Sequence, residues 1–353
     1  MRRRTFLAAA SGGALAAPAI ASGRKRLLMA TSWGRGLAGV FESAEYCARL
    51  IESASDGRLS VDVKAAGERF GAFEVFDAVR EGRADLYHSA DYYFLERHPG
   101  YAFFTTVPFG MTAMELGDWY YHGGGHQLHR ELGEAFGLVG FLAGNTGAQG
   151  GGWFRRPIGA VADFQGIRFR MPGLGGEVLK ALGATVLSLP GAEVYQHLST
   201  GALDGAEWIG PWTDEKAGFQ EIAKHYYAAG FHEPGTGFTL GVNRDVFLEL
   251  SAADQKLIEV AAAASHQWTL HLFNNRNAGA LGRLAANGVE IHQFPDEVWD
   301  AFGGATGGVM ARYDSDPLYA RIRDSYVSSM RKSSAWESRS TRAYVRQRDR
   351  ILG

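Results

Sequence analysis

The chain has 353 residues, of which 46% are hydrophobic and 21% are charged, and its formal net charge is −2. This composition is that of a globular protein, the length exceeds one ordinary hydrophobic core, and the charge balance does not suggest nucleic-acid binding. Cys47 is the only cysteine, which excludes an internal disulfide. It falls in an apparent helix from Glu42 to Ser53, so we expect it to be a small buried hydrophobic residue.

The first residues have the pattern of an export signal. Three arginines, Arg2 to Arg4, precede Thr5-Phe6-Leu7, and an alanine-rich stretch then ends in Ala19-Ile20-Ala21. This pattern resembles a twin-arginine signal peptide, so residues 1–21 are predicted to be removed and the mature protein to be periplasmic. An uncleaved amphipathic helix is the alternative, which Pro18 disfavours. The remaining chain has 33 basic and 38 acidic residues and no run of 18 or more apolar residues that would predict a membrane anchor.

Strand and helix patterns alternate in two parts of the chain. Strands are predicted at 26–31, 59–65 and 84–88 with helices at 37–54 and 73–81, and later strands at 167–171, 185–189 and 206–209 with helices at 176–182 and 193–199. Such alternation predicts parallel, doubly wound sheets. We therefore expect an α/β, periplasmic-binding-protein-like fold with two α/β lobes around a cleft. Lobe I is assigned to residues 24–148 and about 234–275, and lobe II to residues 149–233 and about 276–316.

The tail beyond Pro317 has no internal glycine or proline up to Ile351 and is rich in arginine and serine. Its widely spaced large apolar residues include Trp336 and Tyr344. One helix of this length would span roughly 50 Å, more than the width of a small lobe. We expect residues 317–353 to form a long dimerisation helix that packs on a second copy of the chain; a helix lying across its own lobes is the alternative.

Polar side chains gather at the ends of short apolar runs between residues 144 and 235. They occur in four segments: Asn145-Thr-Gly-Ala-Gln149, Ile167-Arg-Phe-Arg-Met-Pro-Gly173, Asp204-Gly-Ala-Glu-Trp208 and Gly230-Phe-His-Glu-Pro-Gly235. Open α/β folds place ligand contacts at such strand ends. An arginine, two carboxylates, a glutamine and an asparagine suit a small organic carboxylate bridged to a hard cation, since no thiolate or histidine is expected to join them.

Each of these residues also has a plain structural interpretation. Arg168 is expected to be a surface charge, whereas Arg170 lies at the end of its strand and is predicted to bind ligand. Glu207 lies among apolar residues, where a structural salt bridge is equally consistent with the spacing. Glu233 alone would be a solvated loop acid, and Gln149 alone would cap local backbone.

Other motifs are weak. His122-Gly-Gly-Gly125 resembles a lipase oxyanion loop, but the chain has no Gly-x-Ser-x-Gly elbow. His122, His126 and His129 could hold zinc on one helix face, although the adjacent glycines favour a surface helix start. Gly173-x-Gly175 lacks the rest of a dinucleotide loop and is expected to be a tight strand-to-helix turn.

Nearly the whole mature chain resembles the substrate-binding receptors of tripartite ATP-independent periplasmic (TRAP) transporters, the DctP-type family. The resemblance rests on the four segments above, on Tyr92-Tyr93, on Val107-Pro-Phe-Gly-Met111 and on Tyr120-Tyr-His-Gly-Gly-Gly125. It is strongest with the subgroup that binds 2-oxo acids or lactate through a bridging sodium or calcium ion.

The resemblance implies a function and a set of site residues. Gln149, Glu207, the backbone of Trp208, and Glu233 match the metal ligands, and Arg170 matches the arginine that pairs with the ligand carboxylate. Substrate contacts are implied for Arg170, Asn145, Tyr93, Trp208 and Gln149. At position 150 the resemblance implies a larger residue, such as methionine, but this chain has glycine. The resemblance therefore does not determine the size of the pocket.

These observations predict a periplasmic receptor that closes on a small 2-oxo or 2-hydroxy monocarboxylate and delivers it to the membrane permease subunits, and not an enzyme. Dimerisation by exchange of the C-terminal helix is implied as well. A metal-dependent periplasmic hydrolase or lyase using Glu207 and Glu233 is the alternative from another class. A receptor for an ATP-driven importer or a sensor kinase is a third possibility.

Overall fold

The computed structural model describes residues 24–353, so the predicted signal peptide lies outside the described residues. The eleven strands of the described chain are β1 Lys25–Thr31, β2 Leu59–Lys64, β3 Leu86–Ser89, β4 Leu138–Asn145, β5 Gly152–Phe154, β6 Arg168–Arg170, β7 Thr185–Leu187, β8 Gly205–Ala206, β9 His225–Tyr227, β10 Gly237–Asn243 and β11 Glu290–His292. The α-helices in the same part are α1 Val40–Ala54, α2 Val75–Arg80, α3 Ala102–Thr105, α4 Ala113–His122, α5 Gly125–Glu134, α6 Gly173–Ala181, α7 Gly191–Ser199, α8 Pro211–Ala217, α9 Arg244–Leu248, α10 Ala252–Ala286, α11 Asp296–Ala311, α12 Pro317–Arg339 and α13 Thr341–Leu352.

The strands form two sheets, one in each of two α/β lobes, as the alternating pattern predicts. The sheet of lobe I has the order β2-β1-β3-β10-β4, and the sheet of lobe II has the order β11-β9-β5-β8-β6-β7. β1 runs parallel to β2 and β3, but β10 is antiparallel to β3 and β4. The strands predicted from the alternating pattern are thus parallel to one another, as expected. The sheet is nevertheless mixed, because β10, which the pattern did not predict, returns from lobe II and enters it in the opposite direction. The residue bounds assigned to the lobes stay predictions.

The second sheet is also mixed, with β6 parallel to β7 and β8, and β5 antiparallel to β8 and β9. The predicted strand at 206–209 is shorter than expected and covers only Gly205–Ala206. Glu207 thus lies just beyond a strand end, at the edge where α/β folds place ligand contacts.

The chain crosses from lobe I to lobe II between β4 and β5, and it returns between β9 and β10. The two passing segments are joined by a backbone hydrogen bond from Thr146 N to Thr236 O, 3.0 Å long. The 35-residue helix α10, which the sequence analysis did not anticipate, also contacts both lobes. Trp268 stacks on Tyr46 of α1 at 4.0 Å between ring centroids, and Asn277 Oδ1 accepts a 3.0 Å hydrogen bond from Trp212 N at the start of α8.

The C-terminal segment is long and helical, but the prediction of one continuous helix is wrong. The helix breaks at Ser340, whose φ of −113° and ψ of −96° separate α12 from α13. Tyr319, Ile322 and Tyr326 on the first half of α12 are buried against their own lobe. The break occurs without glycine or proline, so composition alone could not reveal it.

Two smaller expectations concern isolated residues. Cys47 is buried, and burial raises the pKa of its thiol to about 12, as for an inert core residue. The three histidines do not share one helix face, because α4 ends at His122 before α5 begins. His129 is buried and faces Asp91 Oδ2 at 3.2 Å, which gives it a structural partner in place of a metal. No described helix combines the length and the apolar composition needed to cross a bilayer.

Candidate functional site

Three chain segments meet at the end of the second sheet. Gln149 N donates to Glu233 O at 2.9 Å, Gly230 N donates to Gln149 O at 3.2 Å, and Gly150 N donates to Ile209 O at 3.0 Å. These backbone bonds join segments that are up to 84 positions apart in the sequence. They bring together the side chains of Gln149, Glu207 and Glu233.

Arg170 is the last residue of β6, and its side chain has no solvent exposure. Its Nη1 donates to Glu207 O at 2.7 Å and to Glu207 Oε2 at 2.9 Å, while Nε donates to Leu189 O at 3.2 Å. The guanidinium also lies 5.2 Å from the centroid of the Trp208 ring. Within residues 24–353, Nη2 has no hydrogen-bond partner. A ligand can therefore use Nη2, whereas a two-nitrogen fork would compete with Glu207 for Nη1.

Glu207 pairs with Arg170 through one oxygen only. Its Oε1 has no hydrogen-bond partner among the described residues, although the whole side chain is buried. Burial raises the pKa of Glu207 to about 8, against the opposing effect of Arg170. The structural salt bridge and the ligand role are thus both possible at once, because each carboxylate oxygen has a different environment.

Glu233 and Gln149 repeat this arrangement of one bonded atom and one free oxygen. Glu233 Oε2 accepts from Thr236 Oγ1 at 2.6 Å, and Gln149 Nε2 donates to Thr146 Oγ1 at 3.0 Å. The Oε1 atoms of both residues lack partners in the described part of the chain. Burial, with a further contribution from Glu207, raises the pKa of Glu233 to about 7.

The three free oxygens fit a hard cation. Glu207 Oε1, Glu233 Oε1 and Gln149 Oε1 are buried, and an unsatisfied buried oxygen is costly unless a ligand compensates it. Carboxylate and amide oxygens are the ligands that calcium takes in proteins. These residues therefore have both the chemistry and the unused bonding capacity to hold sodium or calcium.

His232, which was not predicted as a metal ligand, also lies beside this set. Its Nε2 lies 3.8 Å from Glu207 Oε1, and neither ring nitrogen has a hydrogen-bond partner among residues 24–353. Burial lowers the pKa of His232 to about 4, so the imidazole is neutral at pH 7. Its position next to Glu233 in the sequence was the available signal.

The remaining predicted contacts lie around this centre. Asn145, at the end of β4 in lobe I, is buried; its Oδ1 accepts from Gly147 N at 2.7 Å, and Nδ2 has no partner within the described chain. Tyr93 is partly buried beside Tyr92, with 4.8 Å between ring centroids. Burial raises the pKa of both hydroxyls, and the charges of Glu207, Glu233 and Arg170 act on both. Tyr92 is therefore a second candidate that the sequence analysis missed.

These two tyrosines line a cleft of about 580 Å³ between the lobes, and Gly173 and Glu177 of α6 line it as well. Gln149, Glu207 and Glu233 do not line this cleft, and they are at most 3% exposed. These three side chains are thus closed off from solvent in this structure.

Gly150 does not enlarge the site. A Cβ at this position would lie 2.8 Å from Tyr226 Cζ and even closer to the Tyr226 hydroxyl. Tyr226 is fully buried and packs on Trp153 at 4.6 Å between ring centroids. The tyrosine therefore occupies the space that a larger residue at position 150 would need.

The chain is similar to several known proteins. The family model for bacterial extracellular solute-binding protein, family 7 (DctP), matches residues 33–316. A monocarboxylate 2-oxoacid-binding periplasmic protein from Nostoc sp. is 35% identical over 312 residues, which are 88% of this chain and 85% of that protein.

Two solved structures extend the similarity. A TRAP transporter solute-binding protein from Bordetella bronchiseptica, a dimer with copurified calcium and picolinate, has a TM-score of 0.90 at 30% identity, covering 93% of this chain and 98% of that one. A TRAP periplasmic solute-binding protein from Pseudoalteromonas atlantica, with bound sodium and pyruvate, has a TM-score of 0.88 at 35% identity, covering 92% and 99%.

The contact between Gly150 and Tyr226 predicts an energetic coupling. Gly150→Ala should destabilise the protein by about 1–3 kcal/mol through overpacking, and Tyr226→Leu alone should cost a similar amount by removing buried ring atoms. In the double variant, the smaller side chain leaves room for the new methyl group. Urea unfolding should therefore give a double-variant loss well below the sum of the two single losses, whereas simple additivity would contradict the proposed contact.

Proposed function

Because the chain belongs to the family 7 bacterial extracellular solute-binding proteins, the TRAP receptors, we propose that it captures a small 2-oxo or 2-hydroxy monocarboxylate together with sodium or calcium. The family works outside the cytoplasmic membrane, in the periplasm, and its members deliver solutes to membrane permease subunits. It is a family of binding proteins and not of enzymes.

One observation carries the proposal. Three buried oxygens and one guanidinium nitrogen, Arg170 Nη2, lack partners within residues 24–353 and surround the same end of the second sheet. The oxygens are complementary to a cation, and the guanidinium is complementary to a carboxylate. A 2-oxo acid supplies oxygens to the cation and an anionic group to the arginine.

Charge balance favours calcium over sodium. Burial raises the pKa of Glu207 and of Glu233, but a cation bound between them favours their ionised forms. With both ionised and Arg170 protonated, the buried side chains carry one net negative charge, and a monocarboxylate adds another. A divalent ion neutralises this group, whereas a monovalent ion leaves one negative charge buried, which is unfavourable in a region of low dielectric constant.

The residues of the chain have distinct parts in this mechanism. Arg170 orients the carboxylate, Trp208 covers the guanidinium, and Asn145 Nδ2 offers a hydrogen bond from lobe I to a ligand held mainly by lobe II. The bound cation supplies a positive charge that compensates the lost hydration of the carboxylate. Lobe closure then excludes water, as expected for two-lobed receptors.

The hydrolase alternative is not supported. The family consists of solute receptors, and the site residues are explained by binding alone. A turnover assay with the released ligand distinguishes the two classes, because a receptor returns its ligand unchanged.

Arg170→Ala should weaken carboxylate binding by about 2–5 kcal/mol, since it leaves the ligand anion and Glu207 without their cationic partner. Arg170→Lys should restore little, because one ammonium cannot reach Glu207, Leu189 O and the ligand together. Calorimetry with pyruvate measures the effect. Arg168→Ala is the matched control: it lies on the same strand, is exposed and pairs with Asp204 at 2.7 Å. Near-native affinity in Arg170→Ala would refute the assignment.

Removal of the cation should abolish or greatly weaken pyruvate binding, and calcium or sodium should restore it. Glu233→Gln is the clearest variant for the metal, because Glu207→Gln would also leave Arg170 buried without its ion pair. We expect Glu233→Gln to lower calcium affinity at least about tenfold while the protein stays folded. Glu249→Gln, an exposed acid paired with Lys25, is the control. Unchanged pyruvate binding by chelated, sodium-free protein would contradict a bridging cation.

We further propose that the receptor is a homodimer joined through its C-terminal helices. In a single chain, Trp336, Tyr344, Ile351 and Leu352 are 66–80% exposed, although the first half of α12 is anchored on its own lobe. Exposed large apolar residues concentrated at the end of α12 and along α13 favour a partner surface. A two-fold exchange covers both copies at once.

The dimer is tested best without disturbing the anchored half of α12, whose loss would expose the core around Tyr319. Trp336→Ser combined with Tyr344→Ser should give monomers in light scattering at micromolar concentration, with pyruvate binding retained. Leu248→Ser, at a 55% exposed residue of α9, should leave the dimer intact. A monomer mass for the unchanged mature protein would exclude the proposal.

A further inference from the structure

A second cluster of metal-binding side chains lies at the outer edge of the lobe II sheet. It consists of His225 at the start of β9 and of Glu290 and His292 on the edge strand β11. β9 and β11 are parallel, with Glu290 opposite His225 and His292 opposite Tyr227. Since side chains alternate along a strand, all three project from the same face of the sheet.

The ligand atoms form a nearly equilateral triangle. His225 Nδ1 lies 3.1 Å from His292 Nε2 and 3.4 Å from Glu290 Oε2, and His292 Nε2 lies 3.5 Å from Glu290 Oε2. In a tetrahedral zinc site with bonds of about 2.0–2.1 Å, neighbouring ligand atoms are roughly 3.3–3.4 Å apart. The triangle therefore has the dimensions of one face of a zinc coordination tetrahedron.

Ordinary hydrogen bonding accounts for this triangle less well. An imidazole nitrogen has one hydrogen or one lone pair, so His225 Nδ1 can serve both His292 and Glu290 only through one shared and weakened hydrogen bond. A hydrogen bond between the two rings does not account for the position of Glu290 Oε2, which is almost equally distant from both nitrogens. A cation at the centre satisfies all three atoms.

The orientation of His292 is set by its surroundings. Its ring stacks on Tyr227 at 5.1 Å between centroids, and the Tyr227 hydroxyl accepts from Ile158 N at 2.6 Å and donates to Ile158 O at 2.8 Å. Such supporting contacts hold a metal-ligating ring in place before the ion binds. The site is accessible, because the side chains of His225, His292 and Glu290 are 17%, 27% and 61% exposed.

We propose that His225, Glu290 and His292 bind one Zn²⁺ ion, with a fourth position open to water. Two imidazole nitrogens and one carboxylate suit zinc and not calcium, which prefers oxygen ligands. β11 is an edge strand that pairs only with β9, over three residues. The ion would link β11 to β9 and so attach it more firmly to lobe II. It would stabilise the pairing of β11 with β9 and take no part in carboxylate capture.

Zinc titration of metal-stripped, tag-free protein tests this site. Calorimetry is run on the unchanged chain and on Glu233→Gln. Because Glu233→Gln impairs the carboxylate site, zinc binding that is lost in this variant is assigned to that site and not to the histidine cluster. We expect one zinc per chain that persists in Glu233→Gln, and an affinity at least about a hundredfold lower in His292→Ala and Glu290→Gln. His271→Ala, an exposed histidine on α10, is the matched control.

Two further measurements make the result decisive. Zinc should raise the unfolding temperature of the unchanged chain and of His271→Ala but not of His292→Ala, since only a folded site binds the ion. Calcium-dependent pyruvate binding reports that His292→Ala is folded, and Glu290→Gln replaces it if it is not. Zinc affinity unaltered in the Glu290 and His292 variants, or zinc lost in Glu233→Gln alone, would overturn the proposal.

Discussion

The buried pair of Arg170 and Glu207 is the constraint around which the second lobe is arranged. Taking two opposite charges out of water costs several kcal/mol for each ion, and their attraction compensates only when the geometry and the additional hydrogen bonds are good. Here Arg170 Nη1 contacts both Oε2 and the backbone oxygen of Glu207, and Nε reaches Leu189 O. The ends of β6 and β8 and the segment after β7 must therefore keep their relative positions. The same geometry leaves one atom of each partner, Nη2 and Oε1, without a bond in the described chain.

Glycines allow aromatic rings to enclose that unsatisfied pair. A Cβ at Gly191 would overlap the Trp208 ring, and one at Gly175 would lie 2.6 Å from the Cβ of His232. Backbone at these positions approaches the rings more closely than any side chain permits. The site is thus a polar centre enclosed by aromatic groups that pack directly on main chain. This enclosure strengthens each electrostatic contact within it.

Much of the fold could be predicted from sequence because local patterns determine it. The strand and helix alternation up to residue 88 is explicit in the apolar periodicity, and the sheet ends that carry Arg170 and Glu207 follow from it. Other features depend on distant contacts. The shortness of β8 and the antiparallel entry of β10 are tertiary effects, and the length of α10 was missed because its pattern is weakly amphipathic.

The candidate site was predictable in its residue types but not in its bonding. Which oxygen of Glu207 is used by Arg170, and which is free, depends on three-dimensional geometry. The same holds for His232, whose side chain approaches Glu207 from a segment 25 positions later in the chain. Gly150 illustrates the limit most clearly, since its meaning depends on Tyr226, a residue that no local pattern connects to it.

Helix α10 adds a mechanical property to the receptor. It is fixed to lobe I by the stacking of Trp268 on Tyr46 and to lobe II by Asn277 and by the ion pair of Arg283 with Glu215. Between Trp268 and Asn277 there are fewer than three helical turns in which a change of lobe angle can be absorbed. Opening the cleft must bend the helix between these two residues or break the contacts that hold one of its ends to a lobe. The free energy of bending α10 therefore contributes to the affinity for ligand, although the helix lies outside the binding site. Substitutions in α10 can thus change the affinity without changing the residues that contact the ligand.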